Sequence, residues 1–309
     1  MARYILRRVG TMLLALFFIV SATFFMLKAI PGGPFASEKK LPPSIEENIT
    51  KKYHLDDPWY IQYRDYLIRT AEFDLGPSYR YEGRTVNDII ADGFPVSAQL
   101  GFVTLLISIV TGISLGTIAA LNRNKFYDYF AMILATLGFS VPSFIVAFIL
   151  MYIFAYKLRV LPPALWGTWK HLVLPAVSLS FVPTAVIARL IRSNMVEVLQ
   201  QDYIKTAKAK GLKKTIVICR HALRNAITPV VIYLGPLVTG IFTGSFIIEH
   251  IFAIPGLGRH FVMSIQNRDY TVILGITVFY SLFLMTMNLA VDIMLTVIDP
   301  RVQLVDEKR

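Results

Sequence analysis

Five stretches of this chain run for nineteen residues or more without a single Asp, Glu, Lys or Arg: 9–27, 99–122, 129–156, 228–248 and 270–291. A sixth, 171–188, is shorter and is interrupted by Pro175 and Pro183. Uncharged apolar runs of about 18 residues or more predict membrane-spanning helices, so the pattern predicts six spans. The first follows Arg3, Arg7 and Arg8. Its apolar run exceeds the 7–15 residues of a signal-peptide core and no small-x-small site follows Leu27, which predicts a retained helix.

Residues 31–98 form the one sizeable stretch with a soluble pattern. Ser44 and Glu47 make a capping box, and Asp57-Pro58 supplies an N-cap and a first-turn proline. Trp59, Tyr63, Tyr66 and Leu67 follow at helical spacing, and Gly76-Pro77 ends the element. This predicts a small folded insertion whose aromatics build its own core or meet the membrane interface. Pro142, Pro175, Pro183, Pro229 and Pro236 fall within or at the ends of spans, beside Gly and Ser. Close helix packing or a bendable pathway accounts equally well for that pattern.

Charge adds orientation. The chain is 55% hydrophobic and 17% charged, with a formal net charge of +11. In a membrane protein the bias of Lys and Arg toward cytoplasmic loops explains such an excess without nucleic acid. Segment 192–228 carries eight Lys or Arg against two acids, whereas 31–98 carries eight against eleven. Both termini, 122–128 and 192–228 are therefore expected in the cytoplasm, with 31–98, 157–170 and 254–269 outside. Lys157, Arg159 and Lys170 run against this scheme. The single cysteine, Cys219, excludes an intramolecular disulfide and is expected to be a small buried apolar side chain.

Catalytic patterns are missing. GxxxxGK[ST], HExxH and GxSxG do not occur, and His54, His171, His221, His250 and His260 show no ligand spacing. Asp292 is the best candidate for an intramembrane acid that takes part in transport, with Glu249 near the end of the fifth span. Each stands alone, and pairing with an Arg is the plainer role for Asp292. A chain without its own energy source needs a partner for active transport.

The stretch 202–229, DYIKTAKAKGLKKTIVICRHALRNAITP, has seven Lys or Arg and one acid between two spans. It predicts a short helix over 203–210, with Asp202 as N-cap and Gly211 as C-terminal stop. Thr206, Ala207 and Ala209 are small enough to let another surface approach. A second helix is expected to carry Ile216, Cys219, Leu223 and Ile227 along one stripe. A docking knob and a loop that merely fixes topology both fit this pattern.

The same stretch resembles the cytoplasmic EAA loop of ABC importer permeases, in the peptide-branch form DY-x-x-TA-x-AKGL…HALRNA-x-x-P. The matching residues are Asp202, Tyr203, Thr206, Ala207, Ala209, Lys210, Gly211, Leu212, His221 to Ala226, and Pro229. It departs from the wider importer motif, which begins with Glu where this chain has Lys205. RYILRR (3–8), PGGP (31–34), HLDDPWYIQYRDYL (54–67), FDLGPSY (73–79), VNDII (86–90), LGTIAAL (115–121), FAIPGLGRHFVMSIQNRDYTVILG (252–275) and DPRV (299–302) extend the resemblance along nearly the whole chain.

The resemblance implies an all-α membrane protein with six transmembrane helices of the ABC importer permease type. Its parts would be a first helix (1–30), an extracytoplasmic insertion (31–97), a five-helix core (98–298) with a coupling loop at 193–228, and a cytoplasmic tail (299–309). It further implies a non-enzymatic permease for oligopeptides or dipeptides in a bacterial or archaeal inner membrane. The implied partners are a homologous second permease, two cytosolic ATPases that hold ATP and Mg, and an extracytoplasmic solute-binding protein. No cofactor is expected in this chain. Asp202, Tyr203, Thr206, Ala207, Ala209, Lys210, Gly211 and Leu212 would contact an ATPase. A nickel permease of the same branch and an ion-coupled secondary transporter are the alternatives.

Overall fold

The computed structural model describes residues 2–31, 33–34 and 56–298. The expected capping box at Ser44 and Glu47 and the tail 299–309 lie outside them. Among the described residues there are helices and one isolated bridge, Pro77 to Thr85. Five helices among the described residues are long and apolar enough to cross a membrane, or six spans if a pair bent by 107° counts as one. The chain divides into two compact units, Met1–Pro95 with Gly256–Thr286, and Val96–Pro255 with Met287–Arg309.

In the first unit, α1 (Ala2–Ala29) runs unbroken to the proline-glycine stretch that cannot continue it. Helix α2 (Trp59–Ala71) starts one residue later than expected. Pro58 is extended (φ −52°, ψ 141°) and occupies the N-cap itself, and the Asp57 carbonyl instead accepts the Gln62 amide at 2.7 Å. The helix ends five residues before Gly76, at a turn where Phe73 has a positive φ. Tyr63 and Tyr66 pack on the α1 residue Phe24, with the Tyr66 ring stacked at 5.8 Å. The Ser21 and Tyr63 hydroxyls are hydrogen-bonded at 2.6 Å.

Helix α3 (Val86–Leu121) begins well before the apolar run does. Thr85 and Asp88 form a reciprocal cap, with the Thr85 N–H donating to Asp88 at 2.9 Å and the Asp88 N–H to the Thr85 hydroxyl at 3.1 Å. VNDII is thus the first turns of a long helix. Asp269, fully buried, accepts from the Ser78 hydroxyl, the Tyr79 N–H and the Thr271 hydroxyl. It thereby fixes the approach to the last helix.

In the second unit the third apolar run is two helices, α4 (Phe126–Ser140) and α5 (Ser143–Leu150), the latter continued by a π-turn, Met151–Lys157. Pro142 is extended (φ −56°, ψ 140°) and has no N–H to give, so the helix breaks there. Helix α6 (Trp169–Val198) carries Pro175 and Pro183 without breaking and packs against α4, α5 and the fifth long helix. Its crossing with α3 is close because Gly112 and Gly116 face it. A β-carbon at Gly116 would lie 2.5 Å from the Ala188 carbonyl oxygen and 2.8 Å from Ile191 Cβ.

An ion pair that the sequence reading did not anticipate joins α4 to α6. Arg192 donates through Nε and a terminal nitrogen to the two carboxylate oxygens of Asp128, at 2.5 and 2.7 Å. The carboxylate also takes the Asn124 N–H at 2.9 Å. The Asp128 side chain is 2% exposed and that of Arg192 30%.

Gly116→Ala is expected to destabilise the protein by about 1–3 kcal/mol through overpacking. Gly240→Ala, where no atom lies within 4 Å of the new β-carbon, is expected to be neutral or slightly stabilising. Thermal unfolding of the two variants in the same detergent checks the contrast.

Candidate functional site

Between α6 and the next long helix the chain leaves the bundle, turns twice and returns. Helix α7 covers Asp202–Ala209. Its N-cap is Gln201 in extended conformation (φ −69°, ψ 149°), so Asp202, expected to cap it, is the first helical residue. There its carboxylate takes Lys205 Nζ at 2.8 Å and complements the positive end of the helix dipole.

The C-terminus closes as expected from Gly211. The Gly211 N–H donates to the Lys208 carbonyl at 3.0 Å and the Leu212 N–H to that of Ala207 at 3.4 Å, with Gly211 at φ +74°. This is the Schellman arrangement, in which the left-handed residue costs glycine nothing.

The helix has two faces. Ile204 and Ala207, three residues apart, are buried in this chain. Asp202, Tyr203, Lys205, Thr206, Lys208, Ala209, Lys210, Gly211 and Leu212 are exposed. Ala207 therefore gives its small size to packing within the chain, while the other predicted site residues lie on the open side. Ile204 was missed, although it is the one large aliphatic residue of the helix.

Helix α7 rests on a returning stalk, 214–226, which is not the regular helix expected. One α-turn (Lys214–Ile216) passes into a π-turn (Val217–Ala222) and back to α (Leu223–Ala226). The change of period rotates the stripe: Val217, Ala222 and Ala226 are buried, where Ile216, Cys219, Leu223 and Ile227 were expected. Cys219 is exposed as a result, which corrects its expected burial. The Asn225 amide donates to the Tyr203 hydroxyl at 2.8 Å, linking stalk and helix across 22 positions.

The stalk leads into α8 (Thr228–Ile251), which has Pro229 in its first turn. Helices α9 (Leu257–Asn267) and α10 (Tyr270–Ile298) complete the chain described. Glu249 is fully buried on α8, and Asp292 is half-buried on α10. The His171 ring meets the Thr168 hydroxyl at 2.7 Å, at the start of α6. Among the described residues no group of three or more His, Cys, Asp or Glu could hold a metal ion.

Long apolar helices, with one short, amphipathic, cationic helix in the connection between two of them, are the architecture of a multi-span membrane protein. Residues 112–304 match the model of the binding-protein-dependent transport system inner membrane components, and residues 1–101 match the N-terminal model of the same components. The chain belongs to this family.

It is 50% identical to the dipeptide transport system permease protein DppB of Bacillus subtilis, over 98% of this chain and 99% of that one. With the oligopeptide transport system permease protein OppB of Escherichia coli K12 it shares 44% identity, over 98% of this chain and all of the other. Among solved structures, an inward-facing form of the MetNI methionine ABC transporter aligns with a TM-score of 0.58 at 16% identity. That alignment covers 68% of this chain and 96% of the other. An amino acid ABC transporter aligns at 0.52, covering 70% and 95%. The fold is that of the ABC importer permeases.

Removing the tyrosine hydroxyl tests how the knob is held. Tyr203→Phe is expected to loosen α7 on its stalk by about 0.5–1.5 kcal/mol, one net hydrogen bond. The loss should be read as faster amide exchange confined to 202–212, with the global unfolding temperature unchanged.

Proposed function

We propose that this chain is the permease subunit of an ATP-driven importer of dipeptides or oligopeptides. The observation that carries this is 50% identity over 98% of this chain and 99% of a dipeptide permease, DppB, so that the match takes in loops as well as helices. In this reading the chain pairs with a homologous permease, and substrate passes between them. An extracytoplasmic solute-binding protein delivers the substrate. Two cytosolic ATPases hold ATP and Mg, and this chain binds neither. Its termini and the 192–228 segment face the cytoplasm.

The chain's own contribution is a path and a lever. Tyr203, Thr206, Ala209, Lys210, Gly211 and Leu212, with Asp202 at the helix start, form the exposed surface that docks on an ATPase. Tyr203 and Leu212 are 43% and 39% exposed, giving an apolar anchor within a cationic surround. Ala207 and Ile204 are buried and the Tyr203–Asn225 hydrogen bond ties helix to stalk, so a push on the outer face moves the two together. No bond chemistry takes place here.

The test is uptake of a labelled tri- to pentapeptide into proteoliposomes holding the chain with its partner subunits and binding protein. Uptake that requires both internal ATP and the binding protein is expected. ATP hydrolysis stimulated by the binding protein without peptide entry would keep the architecture and overturn the substrate, and nickel would be tried next. In the same vesicles Gly211→Asp should insert normally and uncouple hydrolysis from uptake. It places a β-carbon in the left-handed region and an anion at the negative end of the helix dipole. Normal uptake by a well-expressed Gly211→Asp complex would sink the docking role.

A further inference from the structure

The Asp128–Arg192 pair does no work in the path-and-lever reading above, yet it is a bidentate ion pair with a buried carboxylate. A carboxylate 2% exposed, held by two guanidinium bonds and a backbone N–H, is costly to desolvate and a poor device for stability alone. Buried pairs of this kind are best attested as devices that fix register or bias a switch. Its position suggests which. Arg192 lies on the last turns of α6, six residues before that helix ends at Val198, and α7 begins at Asp202. At 1.5 Å per residue this is about 9 Å of rigid helix between the pair and the start of the turn into the knob. Asp128 lies in the first turn of α4, the leading half of the bent pair broken at Pro142.

We propose that the Asp128–Arg192 pair is the joint that carries displacement of the 202–212 knob into the bent third span. The inference rests on the docking role of α7 and adds the route of its motion. When α7 is pushed, the end of α6 moves with it, because only the turn 199–201 intervenes. The bidentate fork then drags the start of α4, since two parallel bonds resist rotation where a single one would swivel. The break at Pro142 lets α4 tilt without forcing α5 to follow as one rod. Asp128 and Arg192 are positioning residues and need not touch substrate.

Hydrogen exchange in the intact complex with its ATPases tests this, comparing nucleotide-free and ATP-trapped states. The wild type should change exchange in both 202–212 and 126–140. In Arg192→Lys, which keeps the charge and loses the fork, the change in 202–212 should persist. That in 126–140 should shrink at least threefold. The exchanged pair Asp128→Arg with Arg192→Asp should restore most of it.

An undiminished response of 126–140 in Arg192→Lys overturns the joint, as does a wild type in which only 202–212 responds. A wild type in which 202–212 itself does not respond overturns the docking reading beneath it and the joint with it. Uptake need not be measured, so an error in the substrate class leaves the test intact.

Discussion

A backbone crossing hydrocarbon must satisfy its own N–H and C=O groups, because no water is there to do so. This constraint makes the long segments helical, and it reaches into the side chains. Thr23, Ser108, Thr136 and Thr277 each donate to the carbonyl four residues back, at 2.7–2.8 Å. Their polar atoms are thereby taken up within their own helices. Association then depends on how closely backbones approach, since lipid tails are as apolar as leucine. Gly112 and Gly116 supply that approach where α3 meets α6.

Besides the π-turn at Met151–Lys157, three departures from the regular helix matter here, and Pro142 and Gly211 give two of them a local cause. At Pro142 the missing N–H and the ring set an extended residue between two helices, and the span bends. At 217–222 the hydrogen bonds shift to a π pattern, which turns Cys219 outward and leaves Val217, Ala222 and Ala226 as the buried line. Gly211, at φ +74°, permits the chain to reverse in two residues. Two of these three lie in the loop between α6 and α8, so this small element sits on tightly specified geometry, as recurs where function concentrates.

How much of this the sequence discloses follows from the range of each interaction. Uncharged runs reveal the spans because the signal is summed over about twenty residues. Gly211 could be read because a left-handed C-terminal residue has one favoured side chain. The start of α3 was legible in Thr85 and Asp88, though VNDII read as part of the insertion. Three features had no such local mark. The π-turn is written in no residue type, so a 3.6-residue period was the natural expectation for 214–226. Asp128 and Arg192 lie 64 positions apart, and Tyr203 and Asn225 lie 22 apart; only the fold brings either pair together.

Charge within the loop is divided from the contacts that hold its shape. Apart from Asp202 and its Lys205, the basic residues of the loop have no acidic partner within 4 Å among the described residues. Exposed cations of this sort contribute little to folding; they add to association with an acidic surface, at a strength that falls with salt. Holding the shape is left to uncharged contacts: the burial of Ile204 and Ala207, the Tyr203–Asn225 hydrogen bond, and the Schellman closure. In the proposed docking role, the exposed lysines serve recognition and Ile204 and Ala207 serve rigidity, while Tyr203 and Gly211 take part in both. In that role an outer lysine can change to suit a partner without loosening the mount, while a change at Tyr203, Ile204 or Gly211 alters the mount whatever the partner.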